Sequence, residues 1–223
     1  MMPPGQAGHR SAPTRLAFVT APRLAGWVDR FAAGHGRLQE ENVDDGLQLT
    51  AVDGAMALLT PPWPRDGRPG RGANGIERLA SLASQERSLG LILVRRGGYA
   101  VAVVTGGKVT SSKTGNRYVQ SRSAAGGSSQ QRFARRRANQ ADALVEDVAE
   151  HAARIFNGHA IEYIVPGGDR NLAVQVLSRP ALAGYARCTR LPFLATPDPN
   201  TKILQQAAQE ACSIRIQVTD PVA

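Results

Sequence analysis

Two short apolar runs, residues 89–94 (LGLILV) and 99–104 (YAVAVV), constrain this chain more than any other feature. Neither alternates with polar residues, as expected of neighbouring strands in a sheet covered on both faces. Arg95-Arg96-Gly97-Gly98 separates them and supplies the turn. Gly106-Gly107 turns the chain again, and residues 108–112 and 117–120 extend the pattern, so an antiparallel meander is expected.

After Gly126-Gly127 the period changes to that of a helix. Ala134, Ala138, Ala141, Leu144, Val145, Val148, Ala152 and Ile155 form one apolar stripe, which Asn157-Gly158 ends. A strand at 161–165 and the turn Pro166-Gly167-Gly168-Asp169 follow, and Asp169 is placed to cap a helix over 170–178. Residues 201–212 read as a helix and 213–219 alternate as a final strand. The fold class is therefore α+β or α/β, a mixed sheet with packed helices.

The start of the chain is different in character. Residues 1–14 have the Pro, Gly and small-residue content of a flexible tail. Leu24, Trp27, Val28 and Phe31 recur at helical spacing before Gly34-His35-Gly36, and Asp53-Gly54 joins two apolar runs as a hairpin. Residues 15–60 thus read as a small helix-hairpin unit. The Pro/Gly-rich segment 61–75 reads as a linker, and 76–223 as a second domain opened by a helix from Ile76 to about Ser88.

Charge singles out one part of that second domain. The net charge is +9, and residues 87–141 contain no Asp or Glu. Arg87, Arg95, Arg96, Lys108, Lys113, Arg117, Arg122, Arg132, Arg135, Arg136 and Arg137 all fall in this interval, which points to an anionic partner. Arg132, Arg135, Arg136 and Arg137 crowd the start of the long helix, where cations oppose the helix dipole. Bound phosphate there would reverse the sign, so RNA backbone contact is expected.

The preceding loop carries little conventional catalytic equipment: no Ser-His-Asp set, no paired carboxylates and no metal ligands. Ser128 or Ser129 suits a helix cap. Gly126 and Gly127 give backbone freedom, and Gln130 or Gln131 gives a neutral amide that can order a water beside developing negative charge. Cys188 and Cys212 lack CxxC spacing and read as reduced, partly buried thiols, with no cofactor implied. No signal-peptide or membrane-length apolar run is present, so a cytoplasmic protein without a membrane partner is expected.

Gly126-Gly127 followed by Arg132-Phe133-Ala134-Arg135 resembles the central, glutamine-bearing domain of archaeal and eukaryotic class I translation release factors. It is more closely similar to the release-factor-like hydrolase family typified by the yeast Vms-one protein and its actinobacterial relatives. Gly127-Ser128-Ser129-Gln130 matches that family's Gly-x-x-Gln loop. The likeness covers residues from about 76 to 219. The register differs from the release factors: Ser128 follows the two glycines, and the first glutamine comes two places later.

The resemblance implies a ribonuclease H-like domain that hydrolyses peptidyl-tRNA on stalled ribosomes, at the large subunit. Gln130 would place the water, Gln131 standing as the alternative, while Gly126 and Gly127 allow close approach. Arg122, Arg132, Arg135, Arg136, Arg137, Lys113 and Arg117 are the expected RNA contacts. Two other readings remain open: a non-catalytic ribosome or RNA-binding module, and an endonuclease cutting tRNA near its CCA end. The oligomeric state and the role of the N-terminal unit are not fixed by the sequence.

Overall fold

The computed structural model of the chain describes residues 14–44, 46–65, 67–116 and 129–221; at 129–134, 136 and 137 the description is of the backbone alone. In chain order the elements begin with β1 (Thr14–Val19), a 3-10 turn (Ala21–Arg23), α1 (Leu24–His35), β2 (Leu38–Val43), β3 (Gly46–Ala51), β4 (Met56–Thr60) and α2 (Gly75–Ala83). They continue with β5 (Ser88–Arg95), β6 (Gly98–Thr105), β7 (Lys108–Asn116) and α3 (Ser129–Phe156). β8 (Tyr163–Gly168), α4 (Arg170–Leu177), a 3-10 segment (Pro180–Tyr185), β9 (Thr189–Arg190), α5 (Thr201–Ala211) and β10 (Ile214–Thr219) complete the set.

Two compact units result, one from residues up to Ser84 with those from Ser213 onward, the other from Gln85–Cys212. Each holds its own five-stranded sheet. This is the expected mixed α+β class. The division differs from the one read in the sequence, where 15–60 formed a unit, 61–75 a linker and 76–223 a domain.

The first unit explains the difference. Its sheet has the order β1-β10-β4-β3-β2, so the last strand of the chain lies between β1 and β4. Ile214, Ile216 and Val218 alternate inward from β10 onto Leu24, Val28 and Phe31 of α1 and Leu79 and Ala83 of α2. Removing β10 would split the sheet, so it cannot belong elsewhere. The segment after β4 is packed loop: Trp63 is buried and its Nε1 donates to the Leu82 carbonyl at 2.8 Å. Gly70 approaches α2 so closely that a Cβ would meet the Arg78 carbonyl oxygen at 1.8 Å, which requires glycine.

The second unit has the order β7-β6-β5-β8-β9. β5, β6 and β7 are the expected antiparallel meander, and β8 and β9 run parallel to β5. A parallel neighbour needs a crossover, and α3 provides it between β7 and β8. Leu144, Val145, Val148, Ala152 and Phe156 of α3 pack with Ile92, Val94, Val101 and Val103 on one face, joined by α4. α5 covers β6 and β7 with Leu204, Ala207 and Ala208 buried. Both apolar runs are buried throughout because helices occupy both faces. The arrangement is compatible with the release-factor-like, ribonuclease H-like domain.

Candidate catalytic and RNA-binding surface

The sheet of the second unit has one end from which the candidate loop departs. Asn116, the last residue of β7, lies opposite Gly98; Gly98 lies opposite Arg95, and Val94 is in register with Gly168. The β5–β6 turn, the end of β8 and the start of α4 therefore share this end with the chain entering residue 117.

β7 reaches it through a tight turn with Gly106 and Gly107 at φ of 56° and 76°, the left-handed region this hairpin needs. It is an edge strand, with the side chains of Lys108, Thr110, Ser112, Lys113, Thr114 and Asn116 exposed. Gly115 is required within it because a Cβ there would sit 2.5 Å from the Tyr99 ring. Lys113 thus stands on a surface of hydroxyls and amides, groups that commonly contact phosphate.

α3 carries the other half of the site. Its 28 residues give a length of roughly 42 Å at 1.5 Å per residue, against roughly 26 Å for the 8 residues of β5. Ala141 is half-buried and packs against the core, and Leu144 and Val145 are fully buried in it. Residues 129–140, about 18 Å of helix, precede that contact. Arg135, Ala138 and Asn139 in this stretch are exposed.

Gln130 and Gln131 lie in the first turn of this helix, with Ser129 as its first residue. Arg132, Arg135, Arg136 and Arg137 follow within the first three turns. No acidic residue stands in the first turn to complement the helix dipole. Gly126, Gly127, Arg117, Arg122 and the cap position Ser128 lie outside the described residues. The structure thus brings Gln130, Gln131 and four arginines onto one segment and sets Lys113 on the neighbouring edge strand.

Farther along α3, His151 joins helix and strand. Its Nδ1 lies 2.6 Å from the Asp147 carbonyl, and its ring centroid is 5.4 Å from that of Tyr99. Burial, then the positive charges of Arg154 and Lys113, hold its pKa below the usual histidine value. Sequence reasoning passed over His151 because its cationic neighbour Lys113 is distant in the chain.

The end of β8 is ordered by a cap. Asp169 Oδ1 accepts from the amides of Asn171 and Leu172 at 2.9 and 3.1 Å, the role expected from the sequence. Arg170, exposed, holds its guanidinium 4.5 Å from the Phe193 ring centroid. Arg95 is engaged locally: Nη1 donates to the Thr196 carbonyl at 2.9 Å and Nε lies 3.1 Å from Asp198.

Among the described residues, no group of three or more His, Cys, Asp or Glu is placed to hold a metal ion, and no helix is long and apolar enough to cross a membrane. What this segment offers chemically is a helix start whose sequence carries two neutral amides and four arginines.

No curated protein matches the chain. The model of the actinobacteria/chloroflexi VLRF1 release factor family matches residues 87–217, more than half of the sequence and nearly all of the second unit. The chain therefore belongs to the VLRF1 release factor family of actinobacteria and chloroflexi.

Proposed function

We propose that this protein is a cytoplasmic peptidyl-tRNA hydrolase that frees nascent peptides from tRNA on the large subunit of stalled ribosomes. Family membership suggests a translation-related role in ribosome rescue and an interaction with the ribosome. What supports the finer reading is the place of Gln130 and Gln131 in the first turn of α3, with Arg132, Arg135, Arg136 and Arg137 following on the same helix. A helix start that carries glutamines and a cluster of cations suits a centre lined by RNA phosphate.

In the proposed reaction, water attacks the carbonyl carbon of the ester joining peptide to the tRNA 3′-terminal ribose. Gln130 orients that water through its side-chain amide. Backbone N–H groups near the helix start favour the negative charge that develops on the carbonyl oxygen. The C–O bond to the ribose breaks, the ribose oxygen takes up a proton, and the peptide leaves with a free carboxylate. Arg132, Arg135, Arg136 and Arg137 bind phosphates and hold the ester at the tip. Arg117, Arg122 and Lys113 continue that contact, and Gly126 and Gly127 let the loop approach closely.

The test is the chemistry of the products. Mass analysis of both products from a stalled complex should give an unextended peptide carboxylate and a tRNA that keeps its full CCA end. A shortened tRNA would instead establish the endonuclease, and binding without either product the RNA-binding module.

A further inference from the structure

The first unit lies almost wholly outside residues 87–217, so family membership assigns it nothing. It contains an open cavity of about 350 Å3 between α1 and the sheet edge, lined by Arg15, Leu16, Trp27, Arg30, Phe31 and His35 among others. Three of these are rings at successive turns of α1. Trp27 and Phe31 stack with centroids 5.3 Å apart and planes 11° from parallel, and His35 follows at 4.7 Å from Phe31.

The rings are held in place. Phe31 is buried in the core of the unit, and His35 Nδ1 lies 2.9 Å from Asp53 Oδ2. An ionised carboxylate can only accept, so Nδ1–H donates to it and Nε2 remains as an acceptor on neutral histidine. The charge of the lining is one-sided: Arg15 and Arg30 are present and no carboxylate is. Arg15 is partly offset by Asp220 at 2.5 Å, whereas Arg30 is exposed and makes no ion pair or hydrogen bond with a described residue. β1 beside the cavity is an edge strand, and Leu16 on it is 52% exposed.

We infer that this cavity is a binding site for an unpaired RNA nucleotide, the base stacking on the half-buried Trp27, which Phe31 backs from the core, and the adjoining phosphates meeting Arg30 and Arg15. Stacking rings flanked by cations are the means by which proteins hold single-stranded RNA. A volume of this size lies at the lower end of the range for small-ligand sites, enough for one base with its sugar. His35 Nε2 is available to accept from a base amino group or a ribose hydroxyl. An extended peptide along β1 could pair carboxylates with the arginines, but it would offer the Trp27 ring no flat partner, which a nucleotide base supplies together with its phosphates. The site goes beyond the proposed hydrolysis, since it can hold RNA whether or not Gln130 acts.

The experiment uses the full chain and a single-stranded oligoadenylate, with an abasic oligonucleotide of equal phosphate number as control. Trp27 is the reporter, because Trp63, the second of the two tryptophans, is only 2% exposed. Saturable quenching of Trp27 by oligoadenylate, much weaker with the abasic strand, is expected. In an Arg135→Ala, Arg136→Ala, Arg137→Ala background, Trp27→Leu should weaken binding of labelled oligoadenylate about tenfold or more, the usual scale for losing one stacked base. Arg30→Ala should lower the salt slope by about 0.7. Unchanged Trp27 emission when the RNA is bound, equal affinity of Trp27→Leu, or quenching by an extended peptide in place of RNA would each overturn the assignment. Peptide release measured in parallel on the same variants separates a failure of this groove from a failure of the hydrolase reading.

Discussion

The Arg87 guanidinium donates to the Tyr163 hydroxyl at 3.0 Å in the interior of the second unit, where Arg87 is 1% exposed. It also donates to Gln85 Oε1 at 2.7 Å, lies 3.5 Å from Glu162, and sits 5.7 Å from the Tyr163 ring centroid. Arg87 begins the acid-free interval that suggests an RNA-binding surface, yet it fastens the start of β5 to the start of β8. Replacing it with leucine removes charged hydrogen bonds from a buried network and should cost about 2–4 kcal/mol. Urea unfolding should show that loss, while the salt dependence of RNA binding stays as in the parent protein.

Gly90 makes a second such joint. A Cβ at this position would fall 2.7 Å from Phe156 Cζ, and Phe156 is itself fixed edge-on to Tyr185 with centroids 5.3 Å apart. The end of α3 can lie on β5 only because residue 90 lacks a side chain. Gly90→Ala should therefore destabilise by about 1–3 kcal/mol through overpacking, seen as a lower denaturation midpoint.

Cys212, at the end of α5, has its thiol pKa pushed up to about 11 by burial, against an ordinary value of 9.0. The unfolded chain ionises first as pH rises, so the stabilising contribution is complete below pH 9 and is lost between about pH 9 and 11. The loss should reach about 2–3 kcal/mol, and Cys212→Ala should flatten that part of the stability profile. A profile that keeps its full slope in the variant would assign the effect to other groups.

Much of the second unit was legible because its signals are local. Residues 89–94 and 99–104 are uninterrupted apolar runs, the α3 stripe spans several turns, and Asp169 precedes the helix that it caps. Asp53-Gly54 likewise marks the β3–β4 hairpin, with Gly54 at φ of 90°. β2 was not legible: four of its six side chains are exposed and polar, so an edge strand left no apolar pattern. β10 read as a strand, but nothing in IRIQVT says that it pairs with β1, as in Thr14↔Thr219. The Trp63–Leu82 bond and the press of Gly70 against α2 were equally hidden in a Pro/Gly-rich segment. At the site, helix and charge were readable from 132–137, whereas the parallel pairing of β5 with β8, which makes α3 a crossover, was not.

The arginines at the start of α3 should act as phosphate contacts. Replacing Arg135, Arg136 and Arg137 with alanine removes three positive charges and should reduce the slope of log affinity against log salt by about 2–3. Titrations of tRNA at several salt concentrations read this directly, and a slope equal to that of the parent protein would place these arginines away from phosphate.

The central claim is that Gln130 directs the attacking water. The decisive measurement is the single-turnover rate of nascent-peptide release from stalled large-subunit complexes already saturated with protein, comparing the parent with Gln130→Ala and Gln131→Ala. The account predicts a fall of about 100-fold or more for Gln130→Ala with binding retained, the scale expected when a positioning group is lost, and a small change for Gln131→Ala. Release at the parent rate in both variants would contradict it.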